Sequence, residues 1–207
     1  LSAAYLDYAD LAERWLTQRR PVLLIMHGLS ASGKSTIAAR LAEKHACIHL
    51  RSDVERKRLH GLSALDDSHA DVNTGIYTAG ATHQTYQRLY DCASLSLSEG
   101  YPVIVDAAFL ERTRRDTFRQ LAEQQHCPFV IVHCEADFAT LEERIIARAG
   151  QGQDPSEATL AVLHRQIEQQ DPLAAEEPSV SFSAADTISL PAAIHALTGW
   201  TRFNNQR

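Results

Sequence analysis

The sequence has no apolar run near the ~20 residues that a membrane-spanning helix needs. Its N-terminus also lacks the basic stretch followed by an apolar core that marks a secretory signal peptide. We therefore expect a cytoplasmic protein with no membrane association. Because the sequence starts with Leu1 and not with methionine, we also expect either a trimmed chain or part of a longer multidomain protein.

Cysteine is scarce and widely spaced, with single residues at Cys47, Cys92, Cys127 and Cys134. No C-x-x-C pair and no histidines at matching spacing accompany them, which argues against a disulfide framework and against a zinc site. We expect reduced, mostly buried thiols. The acidic cluster around His69 is interpreted as a polar loop and not as a metal site.

An excess of positive charge is also missing, since 20 basic side chains against 26 acidic ones give a net charge of -6. A protein whose main task is to neutralise nucleic-acid phosphates needs a basic surface. Nucleic acid is therefore a disfavoured partner, although a local basic cleft is compatible with this balance. With 44% hydrophobic residues among 207, the chain is long enough for one substantial core.

Short apolar segments alternate with amphipathic ones along most of the chain. The apolar segments have the continuous hydrophobicity of strands that are buried on both faces of a parallel sheet. They comprise residues 22–26, 47–50, 103–105 and 129–132, with a weaker segment at 187–190. Because right-handed crossovers place helices on both faces of such a sheet, the pattern predicts a three-layer α/β fold with a five-stranded parallel sheet.

Helical spacing predicts the intervening helices and the domain limits. The predicted helices cover about 36–44, 78–98, 112–125 and 138–149, with a further one capped by Asp154-Pro155-Ser156-Glu157 and a short one after Pro191. An N-terminal amphipathic helix is predicted within residues 1–20, ahead of a main domain at 21–207. The polar, glycine-containing segment 149–156, around Gln151, is predicted to form a lid.

The motif that carries most information is GLSASGKST, residues 28–36, which matches G-x-x-x-x-G-K-[ST] directly after the first predicted strand. Glycine at both ends lets successive N–H groups converge on phosphate oxygens, and the following helix contributes its positive N-terminal end. We expect Lys34 to reach the β- and γ-phosphates and Ser35 to bind magnesium. The predicted cofactors are ATP and Mg²⁺, with nucleotide contacts from Gly28, Ser30, Ala31, Ser32, Gly33, Lys34, Ser35 and Thr36.

Asp106 ends the third predicted strand, at the sheet edge where open parallel sheets bind ligands. We interpret it as a second magnesium ligand; the alternative is an acid that only caps a turn. Ala107 and Ala108 follow it. Because a second acid that would activate water is missing there, a hydrolytic role is disfavoured.

The segment RSDVERKR, residues 51–58, follows the second predicted strand and so begins at the same edge. Asp53 is expected to accept the proton of an acceptor hydroxyl, with Arg51 and Arg56 binding the charged groups of the acceptor. The alternative is a surface helix with Ser52 or Asp53 as its N-cap and solvated basic residues.

Arg144 and Arg148 are four residues apart and so lie on one face of a predicted helix, next to the predicted lid. Two guanidinium groups in that position are suited to bind the nucleotide phosphates and stabilise charge on the transferred group. The alternative is surface ion pairs with Glu142 or Glu143.

With these residues assembled, the sequence resembles the small-molecule and polynucleotide kinase group of P-loop proteins, which includes gluconate kinase, zeta toxin, chloramphenicol phosphotransferase and the 5′-polynucleotide kinase domain. GLSASGKST, RSDVERKRLHGL and GYPVIVDAAFLERTRRDTF resemble more closely the bacterial AAA-type ATP-binding domain often fused to an aminoglycoside-phosphotransferase-like domain. The resemblance spans residues 21–172. It implies that Asp53 activates the acceptor hydroxyl and that Arg144 and Arg148 contact the nucleotide phosphates.

We therefore expect a P-loop kinase that transfers the γ-phosphoryl group of ATP to a hydroxyl of a small-molecule acceptor, with Lys34, Asp53 and Arg144 as its catalytic residues. Two alternatives stay open. One is an ATPase or nucleotide-sensing module coupled to another domain, and the other is a polynucleotide 5′-kinase. The group is diverse in its acceptors, so the resemblance names none.

Overall fold

The computed structural model describes residues 5–6, 21–68, 74–148, 154–183 and 190–198. Its strands are β1 Leu23–His27, β2 Ile48–Arg51, β3 Val103–Asp106, β4 Phe129–Glu135 and β5 Ser179–Ser183. Its helices are α1 Lys34–His45, α2 Ser52–Leu59, α3 Ala79–Ser98, α4 Arg112–Gln124, α5 Phe138–Arg148, α6 Leu160–Gln169 and α7 Leu190–Thr198, with a 3₁₀ turn at Gly75–Tyr77. Tyr5 and Leu6 are helical, whereas the rest of the predicted N-terminal helix, His69 and residues 149–153 of the predicted lid lie outside the described residues.

The five strands form one parallel sheet in the order β2-β3-β1-β4-β5, which confirms the predicted fold class. The chain leaves β1 for β2, returns through β3, and then continues on the other side of β1 with β4 and β5. Ligands of open α/β sheets bind at the carboxyl edge where the strand order reverses in this way. The segment that follows β1 therefore lies at the ligand-binding edge.

Alternate strand residues pack against opposite helical layers. Leu23 and Ile25 belong to a buried cluster with side chains of α3 and α4, whereas Leu24 and Met26 belong to a cluster with side chains of α1 and α7. Because helices cover both faces, every residue of β1 is buried. This explains the continuous apolar pattern that predicted the central strands.

The predicted position of the fifth strand was wrong. The strand is Ser179–Ser183, paired with β4, while residues 187–189 lie outside the described part and Leu190 begins α7. In β5 only Val180 and Phe182 are apolar, and both pack on the α1 and α7 side of the sheet. An edge strand with one apolar face has no continuous apolar run, so the pattern used for the central strands missed it.

The predicted helix start at Asp154 was also wrong. Residues 154–159 are not helical, and α6 begins at Leu160, where the Thr159 side chain accepts a hydrogen bond from the Val162 amide. The Asp154 carboxylate instead accepts a hydrogen bond from the Ser156 amide at 3.0 Å and pairs with two arginines. The cap-like sequence is therefore used for tertiary contacts and not for a helix terminus.

A buried ion pair joins α4 to the segment before β5. Arg115 is 1% exposed and Glu177 is 5% exposed. Nε and Nη2 of Arg115 donate to the two carboxylate oxygens of Glu177 at 2.7 and 3.1 Å. Nη1 also donates to the carbonyls of Phe109 and Leu110, each at 3.0 Å. The pair therefore fixes the backbone just after Asp106, at the ligand-binding edge.

Replacing Arg115 with Met should lower the free energy of unfolding by about 3–5 kcal/mol, because it leaves a buried carboxylate and several carbonyls without their donor. Urea denaturation measures this loss. Arg112→Met is the matched control on the same helix, since Arg112 forms its ion pair with Glu176 at 2.7 Å in solvent and should contribute little. Equal losses in the two variants would contradict a structural role for the buried pair.

Candidate active site

The loop between β1 and α1 has the conformation that its glycines allow. Gly28 has φ +135°, and a Cβ there would lie 2.4 Å from the carbonyl oxygen of Cys134. Gly33 has φ +95° and precedes α1. The close contact excludes any other side chain at Gly28, and the left-handed conformation disfavours one at Gly33.

The N-terminus of α1 is open to an anion. It has no side-chain cap and no acidic residue in its first turn, although the first N–H groups of a helix have no partner within the helix. Lys34 lies at this end and donates from Nζ to the Leu29 carbonyl at 2.6 Å. The buried Ser32 hydroxyl has no hydrogen-bonding partner among the described residues. These groups are suited to phosphate oxygens.

A cleft of about 1100 Å³ opens at this edge of the sheet. It brings together most of the residues that the sequence singled out, namely Ser30, Ala31, Ser32, Gly33, Lys34, Ser35, Thr36, Asp53, Arg56, Asp106, Arg144 and Arg148. Gly28 lies beneath the loop against Cys134. Arg51 lies beside the cleft and contacts it through its ion pairs.

Asp106 is buried at the end of β3, next to the loop. His49 Nε2 and Arg51 Nε lie 3.3 and 3.4 Å from Asp106 Oδ2, and Ser35 also hydrogen-bonds this carboxylate. Burial alone would raise the pKa of Asp106, but the hydrogen bonds from His49 and Ser35 and the charge of Lys34 hold it below its ordinary value. An ionised carboxylate beside a hydroxyl is a donor set that suits Mg²⁺.

Asp53 lies in the first turn of α2 and lines the cleft. The helix begins at Ser52, and its N-terminus has no side-chain cap, so the interpretation of Ser52 or Asp53 as a cap was wrong. Burial raises the pKa of Asp53; the Arg56 guanidinium opposes this shift, and the negative charge of Asp106 adds to it.

Two of the three basic residues of α2 are not solvated, contrary to the alternative that the sequence left open. Arg56 and Lys57 are buried, and Arg58 is the exposed one of the three. Arg56 Nη1 donates to the Ile76 carbonyl at 2.9 Å and to the Thr82 hydroxyl at 3.1 Å. Its guanidinium therefore has a fixed position beside Asp53.

Arg144 and Arg148 make contacts in the cleft. Arg144 Nη1 donates to the Ala31 carbonyl of the loop at 3.1 Å. Arg148 Nη1 lies 3.2 Å from one carboxylate oxygen of Asp154, while Arg51 Nη2 lies 3.2 Å from the other. Asp154 thus joins an arginine at the end of β2 to an arginine of α5.

Two further side chains hold the segment after the predicted lid in place. Glu157 accepts hydrogen bonds from the Ser68 amide and from Tyr77 and pairs with the buried Lys57 at 2.8 Å. Gln166 of α6 accepts from the Ser30 amide at 2.8 Å. The segment from Glu157 to Gln166 is therefore bound both to Lys57, Ser68 and Tyr77 and to the loop.

Sequence reasoning missed several side chains of the site: His49, Lys57, Arg114, Glu157 and Gln166. A signal existed for His49, because alternation along β2 places it on the same face as Arg51. Arg114 lies in the segment GYPVIVDAAFLERTRRDTF, but nothing in the local sequence distinguishes it from the exposed Arg112. Tertiary contacts alone distinguish the others.

The described residues contain no cluster of three His, Cys, Asp or Glu side chains that could hold a metal ion. No helix in the described part of the chain is long and apolar enough to cross a membrane.

All four cysteines are free. Burial raises the pKa of Cys47 and of Cys134 to about 12 and that of Cys127 to about 11, so these thiols are protonated and unreactive at neutral pH.

A five-stranded parallel sheet in this order, with a glycine-rich phosphate loop after its first strand, defines a P-loop nucleotide-binding domain. A family model described as an AAA domain matches residues 23–173 of the chain. The chain therefore belongs to this AAA domain family.

The protein is similar to longer mycobacterial proteins. It is 29% identical over 141 residues to the uncharacterized protein Rv2004c of Mycobacterium tuberculosis, in a match that covers 68% of this chain and 28% of that protein. The same values hold for Mb2027c of Mycobacterium bovis. The chain thus spans little more than a quarter of the length of these curated relatives.

Solved structures with the same fold include kinases. A sugar kinase from Janibacter sp. HTCC2649 is 18% identical with a TM-score of 0.62, over 86% of this chain and 94% of that one. A gluconokinase from Sinorhizobium meliloti 1021 is 20% identical with a TM-score of 0.56, over 86% and 90%. Chaetomium thermophilum Kti12, in complex with ADP-AlF3, is 14% identical with a TM-score of 0.61, over 85% and 98%. These similarities establish the fold.

Replacing Gly28 with Ala should lower both the thermal unfolding midpoint and the affinity for nucleotide, because the added Cβ collides with the Cys134 carbonyl and the loop must shift. Gly80→Ala is the matched control, since nothing lies within 4 Å of a Cβ at that position. It should be neutral or stabilising by at most about 1 kcal/mol. Calorimetric titration with a nucleotide measures the affinity of each variant. Equal affinities of Gly28→Ala and Gly80→Ala would contradict the role of the loop.

Proposed function

We propose that this domain is an ATP-dependent kinase that transfers the γ-phosphoryl group to a hydroxyl of a small-molecule acceptor. The observation that carries the proposal is that one cleft contains both a phosphate-loop lysine, Lys34, and a carboxylate suited to be a base, Asp53. Asp106 is close enough to both residues that its negative charge raises the pKa of Lys34 and that of Asp53.

The nucleotide end of the cleft consists of the loop amides, the N-terminus of α1 and the side chains of Lys34, Arg144 and Arg148. Burial lowers the pKa of Lys34, while the charge of Asp106 opposes this shift and favours the ammonium form. A lysine in this position stabilises negative charge on the transferred phosphoryl group. Ser35 and Asp106 would hold Mg²⁺, which neutralises phosphate charge when it is bound.

The acceptor end of the cleft is next to Asp53. Its carboxylate takes the proton of the acceptor hydroxyl as the hydroxyl oxygen bonds to the γ-phosphorus. The bond between that phosphorus and the β–γ bridging oxygen breaks, and ADP leaves with the electron pair. A base works best when its pKa approaches the working pH, and the raised pKa of Asp53 shifts it in that direction.

Two features support an acceptor other than water. The cleft continues past Asp53 to Tyr77, Thr82 and Tyr86, which gives a hydroxyl compound a place beside the base. Ala107 and Ala108 line the cleft where a second acid would activate water. The gluconokinase and sugar kinase among the structural neighbours also support a small acceptor.

An ATPase or nucleotide-sensing module is the second candidate. It is favoured by the length of the curated relatives, of which this chain matches 28%, and by the similarity to Kti12 bound to ADP-AlF3. Transfer of labelled phosphate from ATP, screened across sugars, antibiotics, nucleosides and oligonucleotides, separates the candidates. Turnover that rises with one compound supports the kinase, whereas slow hydrolysis that no compound stimulates supports the module.

A polynucleotide 5′-kinase would bind single strands with an affinity that falls steeply with salt.

Lys34→Met should reduce nucleotide turnover by about 100-fold or more, because a neutral side chain cannot stabilise charge on the transferred group. The unfolding midpoint should stay close to that of the wild type. Lys44→Met is the control, since Lys44 is exposed in the last turn of the same helix. Unchanged turnover in Lys34→Met would reject the role assigned to this lysine.

Asp53→Asn should reduce acceptor phosphorylation by about 10²–10⁴-fold while the affinity for ATP changes little, because an amide cannot accept the proton. Steady-state kinetics and calorimetric titration with ATP measure the two effects separately. Equal losses in both would indicate that Asp53 holds the nucleotide and does not act as the base.

The pH dependence of turnover should reflect the raised pKa of Asp53. A base must be ionised, so turnover should fall as the pH drops through this pKa, at a pH above the ordinary aspartate value of 3.8. The residual turnover of Asp53→Asn should lack this acidic limb. An identical limb in both proteins would assign the titration to another group.

A further inference from the structure

Two arginines at the acceptor end of the cleft each lie against a tyrosine ring. The Arg56 guanidinium lies 5.1 Å from the ring centre of Tyr77, and the Arg114 guanidinium lies 4.0 Å from that of Tyr86. All four side chains line the same cleft as Asp53. Stacking uses the face of a guanidinium group and leaves its N–H donors free in the plane.

Both guanidinium groups have donors that no described residue satisfies. Arg56 is 7% exposed, yet its Nε is buried without a hydrogen-bonding partner. Arg114 Nη1 is likewise buried without a partner, although Nη2 pairs with Glu111 at 2.9 Å. Keeping cationic groups incompletely paired at low exposure is costly, and both side chains line the cleft, so together they indicate a ligand that carries negative charge.

Nearby carboxylates balance the charge of these two arginines only in part, through the pair of Arg114 with Glu111. Among the described residues, no carboxylate forms an ion pair with Arg56. Glu55 of the same helix pairs with Arg58 and Arg88, and Glu157 pairs with Lys57. The acceptor end therefore has two cationic groups and, apart from Asp53 and the exposed Glu111, little negative charge to balance them.

The two arginines contact other elements than the phosphate loop does. Arg56 contacts the 3₁₀ turn and α3 through Ile76 and Thr82, and Arg114 packs on Tyr86 of the same helix. The phosphate loop contacts α5 and α6 instead, through Arg144 and Gln166.

We propose that Arg56 and Arg114 form an oxyanion subsite, so that the acceptor carries a carboxylate or phosphate group besides the hydroxyl that is phosphorylated. This inference rests on the proposed kinase function and names the class of its substrate. The planar fork of a guanidinium group matches a carboxylate or phosphate, whereas a neutral polyol gives its donors no charged partner.

The test is calorimetric titration of the full chain with inorganic phosphate, after the nucleotide site has been saturated with Mg²⁺ and a non-hydrolysable ATP analogue. Filling that site first prevents phosphate from binding at the loop. The wild type should bind phosphate saturably, and Arg114→Met should weaken this binding about tenfold or more. Arg165→Met is the control, because Arg165 lines the same cleft from α6 and donates to Gln169.

The outcomes separate the two proposals. Failure of the analogue to bind would overturn the kinase function itself. An analogue that binds while phosphate does not, or equal loss of phosphate binding in Arg114→Met and Arg165→Met, would overturn the subsite alone. Arg56→Lys keeps the positive charge but not the planar guanidinium group, so it should also weaken phosphate binding. Binding of the ATP analogue to this variant shows that the variant is folded.

A second set of titrations with glycerate, glycerol 3-phosphate and glycerol identifies the oxyanion. Tighter binding of glycerate indicates a carboxylate, and tighter binding of glycerol 3-phosphate indicates a phosphate ester. Glycerol that binds as tightly as either anion, or binding of the anions that Arg114→Met leaves unchanged, would overturn the inference.

Discussion

The conformation of the backbone between β1 and α1 is the constraint on which the site depends. Gly28 must approach the Cys134 carbonyl so closely that no side chain fits, and its amide donates to the Ala108 carbonyl at 3.2 Å. The loop is thereby attached to β4 on one side and to the segment after β3 on the other. Because Arg115 fixes the backbone immediately after Ala108, the buried pair with Glu177 supports the same geometry.

Acidic and basic side chains alternate across the cleft that this loop borders. Ser35, Asp106, Arg51, Asp154 and Arg148 form a continuous series of contacts from the loop to the end of α5. If the proposed nucleotide phosphates bind Arg148 or Arg51, they compete with Asp154, and we then expect nucleotide binding to affect the position of Asp154 and the residues next to it. Glu157, three residues further on, accepts a hydrogen bond from Tyr77, which lines the proposed acceptor end.

The fold and the position of the phosphate loop were predictable from the sequence because they depend on local patterns. Central strands are continuously apolar, and the phosphate loop is one contiguous motif. The edge strand β5 and the contacts of Asp154 were not predictable, because Val180 and Phe182 form a pattern too short to identify and the carboxylate of Asp154 binds partners far along the chain. Arg114 differs from the exposed Arg112 of α4 through its contact with Tyr86, which the local sequence does not show.

The central claim is that the γ-phosphoryl group passes to an acceptor and not to water. Phosphorus NMR that follows the γ-phosphorus of ATP, with the protein, Mg²⁺ and a mixture of small hydroxylated acids, tests it most directly. The account predicts a new phosphomonoester resonance that requires the mixture and disappears in Asp53→Asn. Loss of the γ resonance to inorganic phosphate alone, at the same rate with and without the mixture, would contradict it.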